Sequence, residues 1–577
     1  MRISNRREFL RGASVVAAST VVSSRMAAKT QALTTSSNAS LANAALAQQN
    51  TQPQKAPSST RLRGLMVDAA RVPERLEYYR RVIEFCADWE LNALQFRVAD
   101  DQGSALRFAS VPNLVIHKNA LTPEQMKDLA EYGKGHGVEL IPEIESFGHT
   151  GFITRSAQYA HLLDSDAQGE SEFTGMIPVH PETLQLFAKL YREVGEIFPS
   201  PYLHGGCDEV NWGGSALSRK ALETKTRPEI WAEYLNSLAQ LAEAQGKQFI
   251  VWGDFVLHKE PEILARLDKK IVIMDWNYRE TNSAPLHDAL AKVRANGSRG
   301  IGAPALINYQ WGPRAGAEQL RNIDAFADAY FAPDASNSLG VILTNWVPSR
   351  YIQNSIWDGF AYGAVAFKEG TAAAQASALR RFVERHYGAE WSETWNEIFR
   401  TIYDAAPSVS ARQKSPAMRL RLRVPWSSDE ELSALVKSES SQSNPFTRLR
   451  TLLAQLEPSI HKNLSDFQAF ALCVECLESV FWRGAVVAQA AGKTLQQEAA
   501  SSLIQNIAAR DKDLSERLSR DWDRGRPSDS AAKLEPLFGM QPKDQLLFTW
   551  GRASAYSASL ALDPQRFFRI LTANKPA

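Results

Sequence analysis

The sequence predicts an α/β protein, a (β/α)8 TIM barrel followed by an α-helical C-terminal domain. Three observations support this prediction. Eight short apolar runs alternate with helical stretches between residues 61 and 370, polar residues follow each run, and beyond Gly370 the pattern changes to Ala, Leu, Arg and Glu at helical spacing. Repeated alternation of strand and helix is typical of a parallel sheet, and eight repeats fit a closed barrel better than an open sheet.

Each predicted strand is a short apolar run bounded by polar or turn residues. In chain order the runs are 62–67, 93–98, 138–144, 202–203, 248–252, 271–274, 300–307 and 339–343. The first helix is predicted to start at Pro73, because proline suits the first helical turn, and its apolar face carries Leu76, Tyr79, Val82, Ile83 and Cys86.

Polar and aromatic side chains follow the predicted strands at their carboxyl ends. TIM barrels carry their sites at that face, so the shared position predicts one site. Solvation or packing explains each residue equally well when it is taken singly. The residues are Asp68, Arg71, Asp100, Asp101, Gln102, Glu143, Glu145, His149, Asp208, Glu209, Trp252, Asp254, Asp275, Trp276, Tyr278, Tyr309, Trp311, Asn345 and Trp346.

The segment 202–212 is the most informative stretch, since an apolar entry runs into two glycines and the adjacent acids Asp208 and Glu209. Successive side chains of a regular strand point to opposite faces, so both acids can serve one ligand only where the strand has ended. Like charges held close raise the proton affinity of one member, which keeps a carboxylic acid available as a proton donor. A solvated acid pair in a loop is the alternative, and the flanking glycines and aromatics favour a site.

The overall charge excludes two classes of partner. The 577 residues carry a formal net charge of +1, with 44% hydrophobic and 22% charged residues. This balance gives no electrostatic reason to bind nucleic acid or an anionic membrane, so neutral molecules are the expected partners. The length is enough for two or three domains.

The cysteines and histidines do not form a recognisable metal or disulfide pattern. Four cysteines are too few for a disulfide scaffold, and Cys473 with Cys476 form a lone C-x-x-C on a helical pattern. Two half-buried helical thiols explain that pair better than zinc or redox chemistry. No H-E-x-x-H sequence is present, so we predict neither a metal nor a cofactor.

The two ends of the chain are predicted to have separate roles. Residues 1–60 read as a twin-arginine signal peptide and linker, with Arg6-Arg7 before an apolar run too short to span a bilayer. The mature protein is therefore expected to be periplasmic or secreted, without a membrane-spanning segment. Residues 61–370 form the barrel, and residues 371–577 a helical domain for packing or oligomerisation, with a Ser-rich joint at 438–444.

Five ordered motifs resemble those of glycoside hydrolase family 20, the β-N-acetylhexosaminidases, and most closely its hexosaminidase D branch. The segment 204–210 matches the His-x-Gly-x-Asp-Glu-Val signature, with Gly205 where an apolar residue is usual. In the strand-three motif, Ser146-Phe147 replaces the common Met-Pro. The matching segments are 64–71, 100–103, 142–149, 204–210 and 340–346.

The resemblance implies a role for each matched residue. Glu209 would be the general acid/base, and Asp208 would orient the 2-acetamido group, whose carbonyl oxygen attacks the anomeric carbon with retention of configuration. His149 and Asp100 would form a relay behind Glu209. Arg71 would bind sugar hydroxyls, either Tyr278 or Tyr309 would bond the acetamido oxygen, and the other expected substrate contacts are His204, Trp252, Trp276 and Trp346.

The expected function is an exported, retaining exo-β-N-acetylhexosaminidase that removes terminal N-acetylhexosamine from glycans. Two alternatives stay open: a TIM-barrel glycosidase of other specificity that uses Glu209 with a distant carboxylate, and a carbohydrate-binding barrel without turnover. The second is favoured by Gly205 and by Val347-Pro348, since the family often places a glutamate shortly after the last-strand tryptophan.

Overall fold

Eight parallel strands close into a barrel in the computed structural model, which describes residues 61–164, 175–308, 314–405, 425–437, 444–491, 496–527 and 545–573. Each strand pairs in parallel with the next along the chain, and β1 also pairs with β8, which closes the barrel. The predicted TIM barrel is therefore confirmed. The strands are β1 (Leu62–Val67), β2 (Ala93–Asp100), β3 (Glu139–Ile144), β4 (Tyr202–His204), β5 (Gln248–Trp252), β6 (Val272–Trp276), β7 (Gly300–Ala303) and β8 (Ser338–Asn345).

One predicted run is divided in the structure. The run 300–307 forms β7 and a separate short strand, Ala305–Ile307, with Pro304 between them. Proline has no N–H to donate to a strand ladder, so it interrupts the strand. Its carbonyl still accepts hydrogen bonds from the backbone and side chain of Thr344, at 2.8 and 2.9 Å.

The strands are apolar on both faces because they separate two buried clusters. Side chains such as Leu65 and Val67 belong to the large cluster between the strands and the helices. Alternate positions contribute to a second cluster inside the barrel, as expected for a pleated strand. Members of the inner cluster include Met66, Ile141, Ile250, Met274, Ile301 and Ile342.

Helices follow every barrel strand except β5. That strand is followed by a π-helical turn, Asp254–Lys259, and a 3-10 helix, Pro261–Arg266. Capping boxes start two of the helices, at Thr122 with Gln125 and at Thr226 with Glu229. The barrel helices are α1 (Leu76–Asp88), α2 (Pro123–Gly135), α3 (Pro181–Ile197), α4 (Arg227–Glu243), α5 (Ser283–Ala295), α6 (Ala317–Tyr330) and α7 (Trp357–Glu369).

The predicted start of the first helix at Pro73 is wrong, since α1 begins at Leu76 after an extended Arg75. The carboxylate of Glu74, between them, is bound by Arg526 from the C-terminal region, at 2.9 and 3.0 Å. The backbone N–H of Glu74 donates to the hydroxyl of Tyr79 at 2.8 Å. These tertiary contacts hold the segment outside the helix despite its helical sequence pattern.

Several short elements lie in the connections that follow the carboxyl ends of the strands. They are the strands Gly103–Leu106, Ile116–Leu121, Leu163–Asp164 and Gly175–Met176, the helices Gly151–Thr154 and Ala216–Leu222, and the 3-10 helices Ala160–Leu162 and Pro348–Arg350.

The region after the barrel is helical, as predicted. All described residues fall in one compact unit, Asn50–Ala577, and the division into domains at residue 370 stays a prediction. The helices are α8 (Thr371–Phe382), α9 (Glu393–Ala405), α10 (Asp429–Lys437), α11 (Leu449–Leu456), α12 (Leu464–Ala491), α13 (Gln497–Gly525), α14 (Leu546–Leu562) and α15 (Pro564–Ala573), with a π-helical turn, Val383–Tyr387, after α8 and a 3-10 turn, Glu457–Ser459, after α11.

Three further predictions concern the ends and the thiols. The four cysteines are unpaired and buried, so Cys473 and Cys476 on α12 lie deeper than the half-buried position predicted for them. Among the described residues, no helix combines the length and the apolar character needed to cross a membrane. The predicted signal peptide and linker, residues 1–60, lie outside the described residues.

Candidate active site

The two adjacent acids lie in a tight turn directly after β4, which ends at His204. Gly206, Cys207 and Glu209 have left-handed backbone angles, with φ values of 65°, 72° and 47°. Such angles cost energy for residues other than glycine. The strand alternation that would send Asp208 and Glu209 to opposite faces has therefore ended before they are reached.

Two buried carboxylates hold this turn from neighbouring strands. Glu145 accepts the backbone N–H of Cys207 at 3.0 Å, and Asp254 accepts that of Glu209 at 3.1 Å. The space beside Gly206 is filled by the Glu145 carboxylate, so no side chain fits at that position. The backbone strain is thus offset by hydrogen bonds from the turn to two buried carboxyl groups.

One imidazole contacts both acids. The Nε2 atom of His149 lies 3.3 Å from the Oε2 atom of Glu209 and 3.8 Å from the Oδ2 atom of Asp208. Asp208 is almost fully buried, whereas the Glu209 side chain is 34% exposed. Both carboxylates therefore border the same space beside His149, hereafter the hollow, and Glu209 is the more exposed of the two.

The acid behind His149 is Asp101 and not the predicted Asp100. The Nδ1 atom of His149 is hydrogen bonded to Oδ2 of Asp101 at 3.0 Å, and Oδ1 of Asp101 accepts the backbone N–H of Gly151 at 2.9 Å. Asp100 lies 3.7 Å from the same Nδ1 atom and is bound instead by arginines. The structure thus contains an Asp101–His149–Glu209 chain.

Arg97, which the sequence reasoning missed, is at the centre of a buried ionic network. Its Nε atom donates to Asp100 at 2.9 Å, its Nη2 atom lies 2.8 Å from Glu145, and it pairs directly with Glu143. An arginine inside a largely apolar strand is a signal that was available in the sequence, because a buried charge needs a partner. Its partner Glu143 is also its neighbour in the register of β2 and β3.

Arg71 links this network to the hollow. Its guanidinium donates to Asp68 at 3.0 Å and lies 3.0 Å from Asp100, and its side chain keeps 13% of its surface exposed. The guanidinium also lies over the ring of Trp346, 5.3 Å from its centroid. Two carboxylates thus fix the guanidinium of Arg71, whose side chain stays partly exposed.

Aromatic side chains from three strands form a wall beside the acids. Trp252 and Trp346 lie 5.8 Å apart, and the Nε1 atom of Trp346 donates to the hydroxyl of Tyr278 at 2.9 Å. Trp276 stacks on Tyr278, with ring centroids 5.1 Å apart. Tyr309, the other candidate for the acetamido contact, lies outside the described residues.

His204 has a different place from the one predicted. Its ring is completely buried, 4.5 Å from the ring of Trp252, and its Nδ1 atom accepts the backbone N–H of Gly206 at 2.9 Å. Burial lowers the pKa of His204 well below its ordinary value, and the charge of Arg97 adds to this effect. A neutral His204 therefore stabilises the turn by accepting the N–H of Gly206, and its ring packs against Trp252.

The electrostatics of the pair differ from the simple expectation for two like charges. Burial raises the pKa of Asp208, against the charges of His149 and Arg97, and the charge of Glu209 raises it further. Burial also acts to raise the pKa of Glu209, but the hydrogen bond and charge of His149 outweigh it and, with Lys259, lower that pKa. The raised proton affinity in the free protein therefore belongs to Asp208.

Two more groups titrate away from their ordinary values. Burial acts to lower the pKa of His149, but the charges of Asp208 and Asp100 and the hydrogen bond to Asp101 raise it well above its usual range. Burial raises the pKa of Asp254 to about 6, although Lys259 opposes the shift. The surroundings of His149 therefore favour its protonated form.

Two departures from the usual family motifs have a packing explanation. A side chain at Gly205 would collide with the ring of Phe249, which occupies the space of the usual apolar residue. Ser146 contacts the hydroxyl of Tyr191 at 2.7 Å, and the ring of Phe147 packs 4.8 Å from Trp231. The packing around both positions therefore suits the residues that this chain has there.

Three groups of described side chains have potential metal-ligand atoms within 4.8 Å of one another. Two belong to the chain already described, Asp100, Asp101 and His149 in one and His149, Asp208 and Glu209 in the other. The third is a surface group of His161, His180 and Glu182, in which Glu182 lies 2.7 Å from Nε2 of His161.

The comparison with known proteins points to one family. Residues 61–316 match the model described as glycosyl hydrolase family 20, catalytic domain. The β-hexosaminidase subunit beta of Entamoeba histolytica is 27% identical over 241 residues, which are 37% of this chain and 40% of that protein. The β-hexosaminidase of Vibrio furnissii is 25% identical over 248 residues, which are 37% of this chain and 39% of that protein.

Solved structures of the same family are also similar. A family 20 exo-β-N-acetylglucosaminidase from Vibrio harveyi, in complex with N-acetylglucosamine, is 20% identical, with a TM-score of 0.43 and coverage of 55% of this chain and 54% of that chain. The chain spans about two-fifths of the length of the two curated relatives. The barrel of this chain, at residues 61–316, is therefore similar to the catalytic domain of glycoside hydrolase family 20.

Proposed function

We propose that this protein is a retaining exo-β-N-acetylhexosaminidase that hydrolyses terminal β-linked N-acetylhexosamine by substrate-assisted catalysis. The observation that carries the proposal is the placement of Asp208 and Glu209 on one imidazole nitrogen, 3.8 and 3.3 Å away, in a barrel similar to that of family 20. The relatives named β-hexosaminidase support the same class of reaction.

The reaction divides between the two acids. Glu209 gives its proton to the glycosidic oxygen while the acetamido carbonyl oxygen bonds to the anomeric carbon, and the bond from that carbon to the leaving oxygen breaks. Asp208 accepts the amide N–H and stabilises the cationic oxazolinium ring that results. Water then opens the ring with Glu209 as the base, so the β configuration is retained.

The free-state pKa values fit this sequence when the sugar is included. Glu209 is ionised in the free enzyme because of His149, yet a sugar in the hollow removes water from its half-open carboxylate and so raises its pKa. An ionised Asp208 stabilises the cationic oxazolinium ring best. The cation at His149 favours that state.

The other groups at the hollow serve binding. The partly exposed side chain of Arg71 suits sugar hydroxyls, and Trp346 with Trp276 offers apolar faces to the ring and the acetamido methyl group. Tyr278 is positioned by the Nε1 atom of Trp346 to donate its hydroxyl proton. The Gly-Cys-Asp-Glu-Val segment supports placement in the hexosaminidase D branch, and the arginine pair at residues 6 and 7 supports export to the periplasm or medium.

The test is hydrolysis of aryl β-N-acetylglucosaminide and β-N-acetylgalactosaminide by the wild type, Glu209→Gln and Asp208→Asn. We expect Glu209→Gln to lose roughly a hundredfold or more in kcat with poor leaving groups, since general acid catalysis supplies about that factor. Asp208→Asn should lose activity with every leaving group. Full activity in Asp208→Asn refutes the acetamido-assisted route, and sugar binding without turnover in the wild type indicates a lectin-like barrel.

A further inference from the structure

The C-terminal helical region reaches the catalytic face of the barrel at one point. Helix α13 ends at Gly525 beside the loop that follows β8, where a side chain at Gly525 would collide with the amide of Gln353. Helix α14 contacts the 3-10 turn Pro348–Arg350 in the same loop. Residues 346–353 of this loop begin with the wall residue Trp346.

A buried ion pair connects α13 to two loops of the barrel. Arg526 is 2% exposed, and its Nε atom donates to both oxygens of Glu74, in the β1–α1 loop, at 2.9 and 3.0 Å. Its Nη2 atom donates to the carbonyl of Pro348 at 2.9 Å, and Gln353 donates to Glu74 at 2.8 Å. In return, Arg75 donates to the carbonyl of Arg526 at 3.0 Å.

The loop held in this way starts in a strained conformation. Val347 has a φ of 58°, and a β-branched residue rarely adopts this left-handed region unless its surroundings enforce it. The backbone N–H of Val347 donates to Asp68 at 3.0 Å, the same carboxylate oxygen that accepts from Arg71. The conformation of Val347 therefore affects both the ring of Trp346 before it and the anchor of Arg71.

The helical region also adds side chains to the wall. Trp522 of α13 belongs to the buried apolar cluster that contains Trp252, Trp346 and Val347. Leu547 of α14 packs against this cluster, as do Trp276 and Tyr278. The guanidinium of Arg526 lies 4.2 Å from the centroid of Trp522, so the ion pair and the wall are contiguous.

We propose that the C-terminal helical region contributes to sugar binding by positioning residues of the sugar pocket. Arg526 is a positioning residue that, through Glu74 and the carbonyl of Pro348, holds the loop after β8 so that Trp346 and Arg71 face the bound sugar. The identity of the ligand rests on the proposed function, whereas the coupling of Arg526 to this loop does not. The region thus acts on binding rather than on proton transfer.

The chain contains a matched control for testing this coupling. Arg483 of α12 pairs with Asp511 of α13 at 3.1 Å, both side chains are fully buried, and the guanidinium lies 3.9 Å from the ring centroid of Trp426. Its Nη2 atom donates to the carbonyl of Trp426 at 3.0 Å, as Arg526 donates to that of Pro348. The Arg483–Asp511 pair therefore matches the Arg526–Glu74 pair in charge, burial and contact with a tryptophan ring, but it lies within the helical region.

The experiment compares the double variants Glu74→Gln/Arg526→Met and Asp511→Asn/Arg483→Met, because removing both charges leaves no unpaired buried ion. We expect Glu74→Gln/Arg526→Met to raise KM for the aryl glycosides by about tenfold or more while kcat stays within about threefold of wild type, which is the signature of lost binding. The control Asp511→Asn/Arg483→Met should keep KM within about twofold of wild type. Arg526→Lys, which keeps the charge, should fall between wild type and the double variant and replaces the double variant if that protein does not fold.

Hydrogen exchange separates this proposal from the proposed function. The amides of residues 346–353 should exchange faster in Glu74→Gln/Arg526→Met than in the wild type, and at the wild-type rate in the control. If the wild type hydrolyses neither glycoside, the proposed function fails, and the exchange data alone decide the coupling. Unchanged exchange at 346–353 overturns the proposal, as does an unchanged KM in an active protein, or an equal rise of KM in both double variants.

Discussion

Replacing Asp101 by asparagine tests which acid supports His149. The Asp101 carboxylate accepts from Nδ1 of His149 at 3.0 Å in a buried setting, and a hydrogen bond to a charged group contributes about 1.5–3 kcal/mol. If the transition state depends on that bond, kcat falls roughly 10- to 150-fold, since each 1.36 kcal/mol is about a factor of ten. The direct partner of Glu209, His149, stays in place.

The assay is a leaving-group series of aryl β-N-acetylglucosaminides. A relay that serves proton donation matters little for a very acidic phenol and much for a poor leaving group, so the defect of Asp101→Asn should grow as the phenol pKa rises. Asp100→Asn is the comparison, and its main effect should be on stability, because Asp100 binds Arg71 and Arg97. The reasoning is refuted if Asp100→Asn shows the leaving-group dependence and Asp101→Asn does not.

Three further predictions concern stability. Arg97→Met should lower the unfolding free energy by about 3–5 kcal/mol or more, measured in urea, because it leaves several buried carboxylates without their cation. Gly205→Ala should lower the unfolding free energy by about 1–3 kcal/mol, because the new methyl group collides with Phe249. The double variant Gly205→Ala/Phe249→Leu should recover part of that loss. Equal stability of the single and double variants contradicts the packing argument. The pKa of His149 is raised on folding, so its stabilising contribution is complete below the ordinary value of 6.5 and is lost as pH rises through the folded value. The unfolding free energy of His149→Gln should therefore vary less with pH above 6.5 than that of the wild type.

The barrel and the acid pair could be predicted from local sequence, for separate physical reasons. Apolar runs such as 248–252 coincide with strands because both faces of a barrel strand are buried. Asp208 and Glu209 could be placed beyond β4 because side-chain alternation leaves no other way for both to reach one hollow. Local pattern was sufficient in both cases.

The choice between Asp100 and Asp101 could not be made in this way. The register between β2 and β3 shifts between Arg97 and Ala99, so counting alternate positions along β2 gives no reliable direction at its end. The contact of Arg526 with Glu74 could not be predicted either, since the two residues are 452 positions apart and no local sequence pattern identifies one as the partner of the other.

The distance along the chain between Glu74 and Arg526 has a consequence for biosynthesis. At about 5–20 residues per second, a ribosome covers these 452 positions in roughly 20 to 90 s. Once Asp208 and Glu209 have been synthesised, the emerging barrel has its acids but still lacks the arginine that fixes its rim, so under the proposed coupling it binds a sugar tightly only after Arg526 has been added.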